Sequence, residues 1–418
     1  MNAAMSKAVI LTGGPSKGTR MRPLSLDIPK PLFPIAGRPM IWHHIQALSK
    51  VEGLGEVLLI GFYDDSVMAP FIREASRDFP NLYIRYMREY TSLGTAGGLY
   101  HFRDAILKGN PSQIFVIHAD ICFSYPLGEM MHFHESHRGV GTIMGVKVPR
   151  ESATKYGCIV TNASTMQALH YVEKPESYIS DIINGGVYLF DKSIFDEIKG
   201  AMDEKVRKTA EDPLYLGDQD DDQLRLEQDV LAPLASNKKL YVFMTPGYWR
   251  QIKSAGSAVP ANGLMLGSYK TTNPMLLRQR SPTISAKSRS THQRSGPTIV
   301  EPCFIDETAE VDHSAKIGPN VSIGANARVG YGCRVKEALI LDNAILEKNS
   351  CAMYAIISEG CKLGPWARVE GTSTSADDKL SIAILAKDVN VKSEVSVRSC
   401  IVLPNKTLTR SCANEVLL

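Results

Sequence analysis

Between Leu11 and Leu32 the chain reads Leu-Thr-Gly-Gly-Pro-Ser-Lys-Gly-Thr-Arg-Met-Arg-Pro-Leu and, a few residues later, Ile-Pro-Lys-Pro-Leu. The apolar run Ala8 to Leu11 leads straight into glycines. Gly13, Gly14 and Gly18 let backbone N–H groups approach an anion with no side chain in the way. Arg20 and Arg22 add charge, and Arg20 can fork onto phosphate oxygens. Lys30 is held between Pro29 and Pro31. A strand, a glycine loop and placed cations are the elements that bind a nucleoside triphosphate. Neither common phosphate fingerprint is present. Gly13 and Gly18 have the Walker spacing, but Thr19 stands where a lysine is required, and Gly-x-Gly-x-x-Gly is absent.

Five further groups are candidates for chemistry. Leu93-Gly94-Thr95-Ala96-Gly97-Gly98 opens a helix and so offers N–H groups and small residues to a base or ribose. Asp120 ends the apolar strand Ile114–His118 and could hold Mg²⁺ against phosphate oxygens. Glu173 and Asn184 could hydrogen-bond sugar hydroxyls, and Lys174 could hold a sugar phosphate. His132, His134 and His137 lie at i, i+2, i+5, a spacing that cannot put three imidazoles on one helix face, so a solvated face is expected rather than zinc. The acidic run Asp218, Asp220, Asp221 and Asp222 within Met202–Gln223 reads as a solvated loop.

The first stretch resembles the signature of the sugar-1-phosphate nucleotidyltransferases, Gly-Gly-x-Gly-Thr-Arg-Leu-Arg-Pro-Leu-Thr followed by Pro-Lys-Pro. Active members carry one residue between Gly-Gly and Gly-Thr-Arg. Here there are three, Pro15, Ser16 and Lys17. That longer loop resembles the alpha, or regulatory, branch of the GDP-mannose pyrophosphorylases, and the resemblance runs nearly the whole chain. It implies Arg20 and Lys30 as catalytic residues. It implies a nucleotide pocket of Leu11, Gly13, Gly14, Gly18, Thr19, Gly94, Thr95 and Ala96. The sugar-phosphate side would be Gly157, Glu173, Lys174 and Asn184. Asp120 would be one Mg²⁺ ligand. In active relatives the second comes from Trp-x-Asp-x-Gly, which here reads Trp249-Arg250-Gln251-Ile252-Lys253, so Gln251 stands in the carboxylate's place.

The resemblance therefore implies a regulatory subunit that binds GDP-mannose and modulates a catalytic paralogue in a hetero-oligomer, with self-association as well. The alternative is an active enzyme converting GTP and mannose-1-phosphate to GDP-mannose and pyrophosphate. Regulatory members carry a longer insertion near Thr372–Ser381, and this stretch is short here.

The elements that must position these residues follow from pattern. Strand-like runs (Glu56–Ile60, Tyr83–Met87, Ile114–His118) alternate with helix-like ones (Met40–Lys50, Asp65–Asp78, Gly97–Leu107). This predicts a Rossmann-like α/β domain with a mixed, mostly parallel sheet over residues 5–266, with ligands at the carboxyl ends of strands. Leu226–Leu231 returns to helix after the acidic loop. Residues 267–297 are rich in Ser, Thr, Lys and Arg and read as a flexible linker.

From 298 to 418 apolar residues recur every six positions. Val311, Ile317, Ile323, Val329 and Val335 form one run, with Ala309, Ala315, Val321, Ala327 and Cys333 two residues earlier. After one phase slip come Leu339, Ile345, Cys351, Ile357, Leu363 and Val369. This predicts a left-handed parallel β-helix of hexapeptide repeats. Acyltransferases use such repeats too, but His313 is the one histidine in this part, so a scaffold role is expected. A net charge of +3 over 418 residues implies no nucleic-acid partner. No apolar run reaches membrane-spanning length and no signal pattern precedes Ala8, so a cytoplasmic protein is expected. The eight scattered cysteines read as reduced core thiols.

Overall fold

A computed structural model describes residues 6–211, 223–277, 296–372 and 382–418. The chain divides into two compact units: residues 1–17 with 41–249, and residues 18–40 with 250–418. Each is described by itself.

In the first unit the expected alternation appears as β1 (Ser6–Gly13), α1 (Met40–Leu48), β2 (Leu54–Gly61), α2 (Asp65–Asp78) and β3 (Tyr83–Arg88). Then come α3 (Gly94–His101), β4 (Gln113–His118), α4 (Leu127–Glu135) and β5 (Gly141–Lys147). They are followed by β6 (Gly157–Thr161), β7 (Ala168–Glu173), β8 (Ile182–Asp191), α5 (Ile194–Glu211) and β9 (Leu240–Met244). The strand order is β7-β6-β8-β4-β1-β2-β3, with β5 beside β8 and β9 beside β5. β4, β1, β2 and β3 run parallel, and β8 is antiparallel to β4. β1 is central and its Val9 and Ile10 are fully buried. Its charged residue Lys7 is buried too, and its ammonium meets Glu56 at 2.6 Å and the Ala105 carbonyl at 3.1 Å. The chain leaves β1 toward β2 and later returns to β4 on the other side, which makes the β1/β4 boundary a topological switch point.

The helix expected over Gly97–Leu107 starts earlier and breaks at Phe102 into Gly94–His101 and Arg103–Leu107. The loop expected from Met202 is helical through Glu211, and the acidic cluster 218–222 lies outside the described residues. The histidines do not share a solvated face. His132 is exposed, whereas His134 is buried with Nδ1 2.8 Å from the Thr142 hydroxyl. His137 Nε2 reaches the same hydroxyl at 2.8 Å, and its ring stacks on Tyr241 at 3.9 Å. Burial, and then the neighbouring His134, push His137 down to about 4.

In the second unit, parallel strands stack into a β-helix whose coil length reads directly from register. Thr298 pairs Lys316, Lys316 pairs Arg334, Arg334 pairs Cys351 and Cys351 pairs Arg368. The steps are eighteen residues, then seventeen, so each coil has three faces of about six. The coils turn at residues in left-handed backbone conformation, stacked one above another. Asn326, Asn343, Gly360, Asp388 and Asn405 form one such corner, all with φ between 54° and 69°. The N–H of each upper residue donates to the coil below, as Asn343 does to Ala325 at 2.8 Å.

The sequence periodicity needs one correction. The interior row after Val335 is Ile340, Leu346 and Ala352, then Ile357, Leu363 and Val369. There are two slips rather than one, because two corners are a residue shorter than the first. Leu339 consequently points outward. It belongs to the row Phe304–Ser322–Leu339–Ile356–Ile384, aligned by register across the coils. Ser322, Leu339, Ile356 and Ile384 are nonetheless buried. Helix α6 (Ala258–Thr272) packs on this face, against strands Val321–Ile323, Arg334–Ile340 and Cys351–Ile357. The chain thus stays helical to Thr272, inside the stretch expected as linker. Residues 278–295 and 373–381 lie outside the described residues.

All eight cysteines are free thiols. Among the described residues no helix is long and apolar enough to cross a membrane. A β-branched residue at a left-handed corner clashes with its own backbone. Asn343→Val should therefore lower stability by about 1–2 kcal/mol, and Asn343→Gly should stay within a few tenths of the parent; chemical denaturation of both variants checks this.

Candidate functional site

The expected site residues fall into both units. Leu11, Gly13, Gly14, Gly94, Thr95, Ala96, Asp120, Gly157, Glu173, Lys174 and Asn184 belong to the first. Gly18, Thr19, Arg20, Lys30 and Gln251 belong to the second.

In the first unit the carboxyl ends of β1 and β4 meet. Leu11 pairs His118, and the Ala119 N–H donates to the Leu11 carbonyl at 3.1 Å. β1 ends in a bulge at Thr12, whose hydroxyl bonds the Ile60 carbonyl at 2.9 Å. Gly13 then takes φ +67° and its carbonyl accepts from Phe62 at 2.8 Å. Gly14 is pressed on Phe62, where a Cβ would come within 2.6 Å of the Phe62 Cβ. Half-buried Asp120 follows β4 after Ala119.

Helix α3 differs from expectation. Its first turn does not leave its amides open. Ala96 and Gly97 both donate to the Leu224 carbonyl, at 3.0 and 3.3 Å, and the Leu224 N–H returns to Leu93. The Thr95 hydroxyl accepts from the Leu226 N–H at 2.8 Å and donates to Glu227 at 3.1 Å. Gly94 has φ +80° and lies against the Leu224 backbone.

Glu227 is the residue that the sequence reading missed. It sits half-buried on a π-helical turn, Leu226–Leu231, whose Leu226, Val230 and Leu231 are buried. Its Oε1 lies 3.3 Å from His118 Nε2, and the Tyr188 hydroxyl is 3.5 Å from each. Burial alone would lower the His118 imidazole, but Glu227, with Asp120 and Glu173 beyond it, holds it above the ordinary range. Burial would likewise raise Glu227, yet His118 and Thr95 keep it below the usual carboxylate value. Each partner thus favours the charged form of the other, and His118 stands two positions before Asp120.

The network continues into the residues expected on the sugar side. β8 bulges after Asn184, whose Oδ1 accepts from the Gly186 N–H at 2.8 Å. Asn184 Nδ2 reaches the hydroxyls of Tyr188 at 2.9 Å and Tyr171 at 3.2 Å. The Tyr171 hydroxyl donates to Glu173 Oε2 at 2.8 Å, and Glu173 Oε1 meets the Lys174 ammonium at 2.8 Å. A Cβ on Gly157 would strike Glu173 Oε2 and the Tyr171 ring. The unit therefore brings Gly157, Glu173, Lys174 and Asn184 together around Tyr171. Asn184 serves as an internal tie there, with both ends of its amide engaged. Nearby, Glu89 is buried with Oε1 lacking a partner among the described residues, and desolvation pushes it up to about 7.

In the second unit Gly18, Thr19 and Arg20 lie on a 3₁₀ turn, Pro15–Met21. Thr19 and Arg20 are exposed, while Gly18 is buried. The Ser25 hydroxyl donates to the Gly18 carbonyl at 3.0 Å, and a Cβ on Gly18 would lie 3.8 Å from the Lys30 Cβ. Lys30 starts a second 3₁₀ turn, Lys30–Leu32, closed by the Phe33 N–H on the Lys30 carbonyl at 3.2 Å. Gln251 ends the short strand Trp249–Gln251.

The pair sets a pH signature. A histidine whose folded pKa is raised contributes stability that is present below about 6.5 and lost as pH rises through the folded value. In Glu227→Gln only burial and the more distant acids remain, so His118 should titrate below its wild-type midpoint. Imidazole chemical shifts of ¹³C-histidine-labelled protein, followed against pH, measure this.

Comparison with known proteins fits this geometry. Residues 7–250 match the family described as "Nucleotidyl transferase", and residues 299–417 match "GMPPB C-terminal domain". A Schizosaccharomyces pombe protein named "Probable mannose-1-phosphate guanyltransferase" is 45% identical, covering 99% of this chain and 100% of its own. The Dictyostelium discoideum "Mannose-1-phosphate guanylyltransferase regulatory subunit alpha" is 46% identical over the full length of both. Among solved structures, a proposed glucose-1-phosphate thymidylyltransferase of Bacillus anthracis aligns with a TM-score of 0.50 at 21% identity, covering 62% of this chain and 94% of that one. Strand ends meeting at a switch point in one unit, a β-helix in the other and similarity over the whole length of both relatives place the chain in the nucleotidyl transferase family, among its mannose-1-phosphate guanylyltransferase members.

Proposed function

We propose that the chain is a regulatory, alpha-type subunit that binds GDP-mannose and modulates a catalytic paralogue in GDP-mannose synthesis, with weak or no turnover of its own. The observation that carries this reading is Gln251. Active relatives place an aspartate there as a metal ligand, and an amide brings no negative charge. Arg250 and Lys253 add cations beside it in sequence. In the first unit His118, whose imidazole Glu227 holds above its ordinary range, lies two residues before Asp120. Among the described residues no three His, Cys, Asp or Glu side chains are grouped to hold an ion. Asp120 with phosphate oxygens would supply one carboxylate to Mg²⁺, a set that fits a weakly held ion. Mg²⁺, when bound, would offset phosphate charge. The roles left to the chain's own residues are Arg20 and Lys30 on phosphates, and Glu173 and Lys174 on the sugar side.

The name of the Dictyostelium relative, a regulatory subunit alpha, supports a catalytic partner. A cytoplasmic setting accords with free cysteines throughout. The second reading, an active guanylyltransferase in which mannose-1-phosphate oxygen attacks the α-phosphorus of GTP and pyrophosphate leaves, is favoured by the retention of Arg20, Lys30 and Asp120.

Turnover of GTP plus mannose-1-phosphate by the isolated chain decides between the two. Losing one transition-state stabilising group typically costs about 10²–10³ in rate, so turnover should fall well below the usual enzyme range of about 1–10³ s⁻¹. Gln251→Asp should raise it, and calorimetry should show GDP-mannose bound in preference to UDP-glucose. Wild-type turnover inside the usual range would establish the active-enzyme reading instead.

A further inference from the structure

The segment 18–40, which bears Arg20 and Lys30, belongs to the same compact unit as the β-helix. Its end is a tight hairpin in which Pro34 pairs Pro39 and Ile35 pairs Arg38. The two turn residues both have positive φ, Ala36 at 47° and Gly37 at 79°. Gly37 suits that conformation, but Ala36 does not. A non-glycine residue persists there only where its surroundings over-determine it.

Those surroundings are two contacts from the β-helix side of the unit. The Ala36 N–H donates to Asn262 Oδ1 at 2.8 Å. Asn262 lies on α6 and is fully buried, and its Oδ1 also accepts from the Ser322 hydroxyl at 2.6 Å. Its Nδ2 donates to the Asn320 carbonyl at 3.2 Å. One amide thus joins the hairpin, the helix and two coil residues. The Phe304 ring lies against Gly37, so closely that any Cβ on Gly37 would overlap it. Phe304 and Ser322 are neighbours in the outward row of the coils. Nearer the arginine, Asp27 is close enough to Lys387 of a later coil to act on its charge, behind Glu359 at 3.2 Å.

We infer that Asn262 is a positioning residue for the anion-binding segment, fixing the left-handed Ala36 turn so that the β-helix coils take part in placing Arg20 and Lys30. The inference rests on the reading that these two cations meet the ligand's phosphates. Linkage then runs both ways: a ligand held by the segment strengthens its hold on the coils, and whatever binds the coils alters affinity for the ligand.

Hydrogen exchange on the full chain tests it. In Asn262→Ala the amides of residues 34–40 should exchange at least about tenfold faster, while the coil amides of residues 316–346 keep their protection. GDP-mannose affinity by calorimetry should fall about tenfold. Adding Ala36→Gly to that variant removes the conformational clash and should restore part of both losses, which a general loss of packing would not allow. Ser322→Ala, which leaves the Ala36 bond in place, should change affinity less than threefold. The inference is overturned if residues 34–40 exchange as in wild type, or if the coils loosen together with them. Arg20→Ala tests the phosphate reading separately. Unchanged GDP-mannose affinity in that variant removes the reading, while the exchange result still decides whether Asn262 holds the hairpin.

Discussion

A carboxylate taken out of water requires a cation or a set of donors beside it, and the first unit is arranged around one such requirement. Glu227 meets it with His118 and Thr95. Because the acid and its partners come from a π-helical turn, β4 and the start of α3, satisfying one charge fixes three segments that are far apart in sequence. Tyr188 and Asn184 extend the same accounting into β8, and Tyr171 carries it to Glu173. Glu89 marks the opposite case. It is buried against the α3 backbone at Gly98, its Oε1 without a hydrogen-bond partner among the described residues, and burial holds its carboxyl up at about 7. Ionising it costs stability that accumulates as pH rises from the ordinary carboxylate range through neutrality.

The elements of the first unit were legible because each runs long enough for its period to show. The α2 boundaries agree with the pattern residue for residue, since Asp64 caps the helix through the Ser66 N–H and the chain turns at Phe79. The β-helix was legible for another reason: its repeat is set by three corners, and the small or left-handed-tolerant residues there punctuate the sequence. What failed was phase. Shortening a corner by one residue exchanges inside for outside, and a row such as Leu339–Ile356 remains apolar because α6 covers it. Periodicity alone cannot tell a residue buried in the coil from one buried beneath a helix.

The site was legible in residue types and less so in roles. Gly13, Gly14 and Asp120 stand at the strand ends where the alternation put them. The amides of Ala96 and Gly97 looked available because a helix start usually leaves its donors open. A carbonyl from Leu224, more than a hundred residues away, closes them, and no local pattern announces that. Glu227 escaped for the same reason, since its partners are supplied by tertiary packing. His134 and His137 were set aside as zinc ligands for a sound geometric reason, but their true environment, one threonine hydroxyl shared between two rings, is equally non-local.

The second unit is assembled from pieces that are distant in the chain. The hydrogen bond from Ala36 to Asn262 spans 226 residues. At a synthesis rate of roughly 5–20 residues per second, the segment carrying Arg20 and Lys30 leaves the ribosome about 10–45 s before the helix that holds it, and the coils come later still. For that interval the segment has its flanking β1 and α1 but no Asn262. Closing so long a loop has an entropy cost that local structure cannot offset early. The segment carrying Arg20 and Lys30 is therefore made well before the helix that holds it and reaches its final conformation only after that helix is in place.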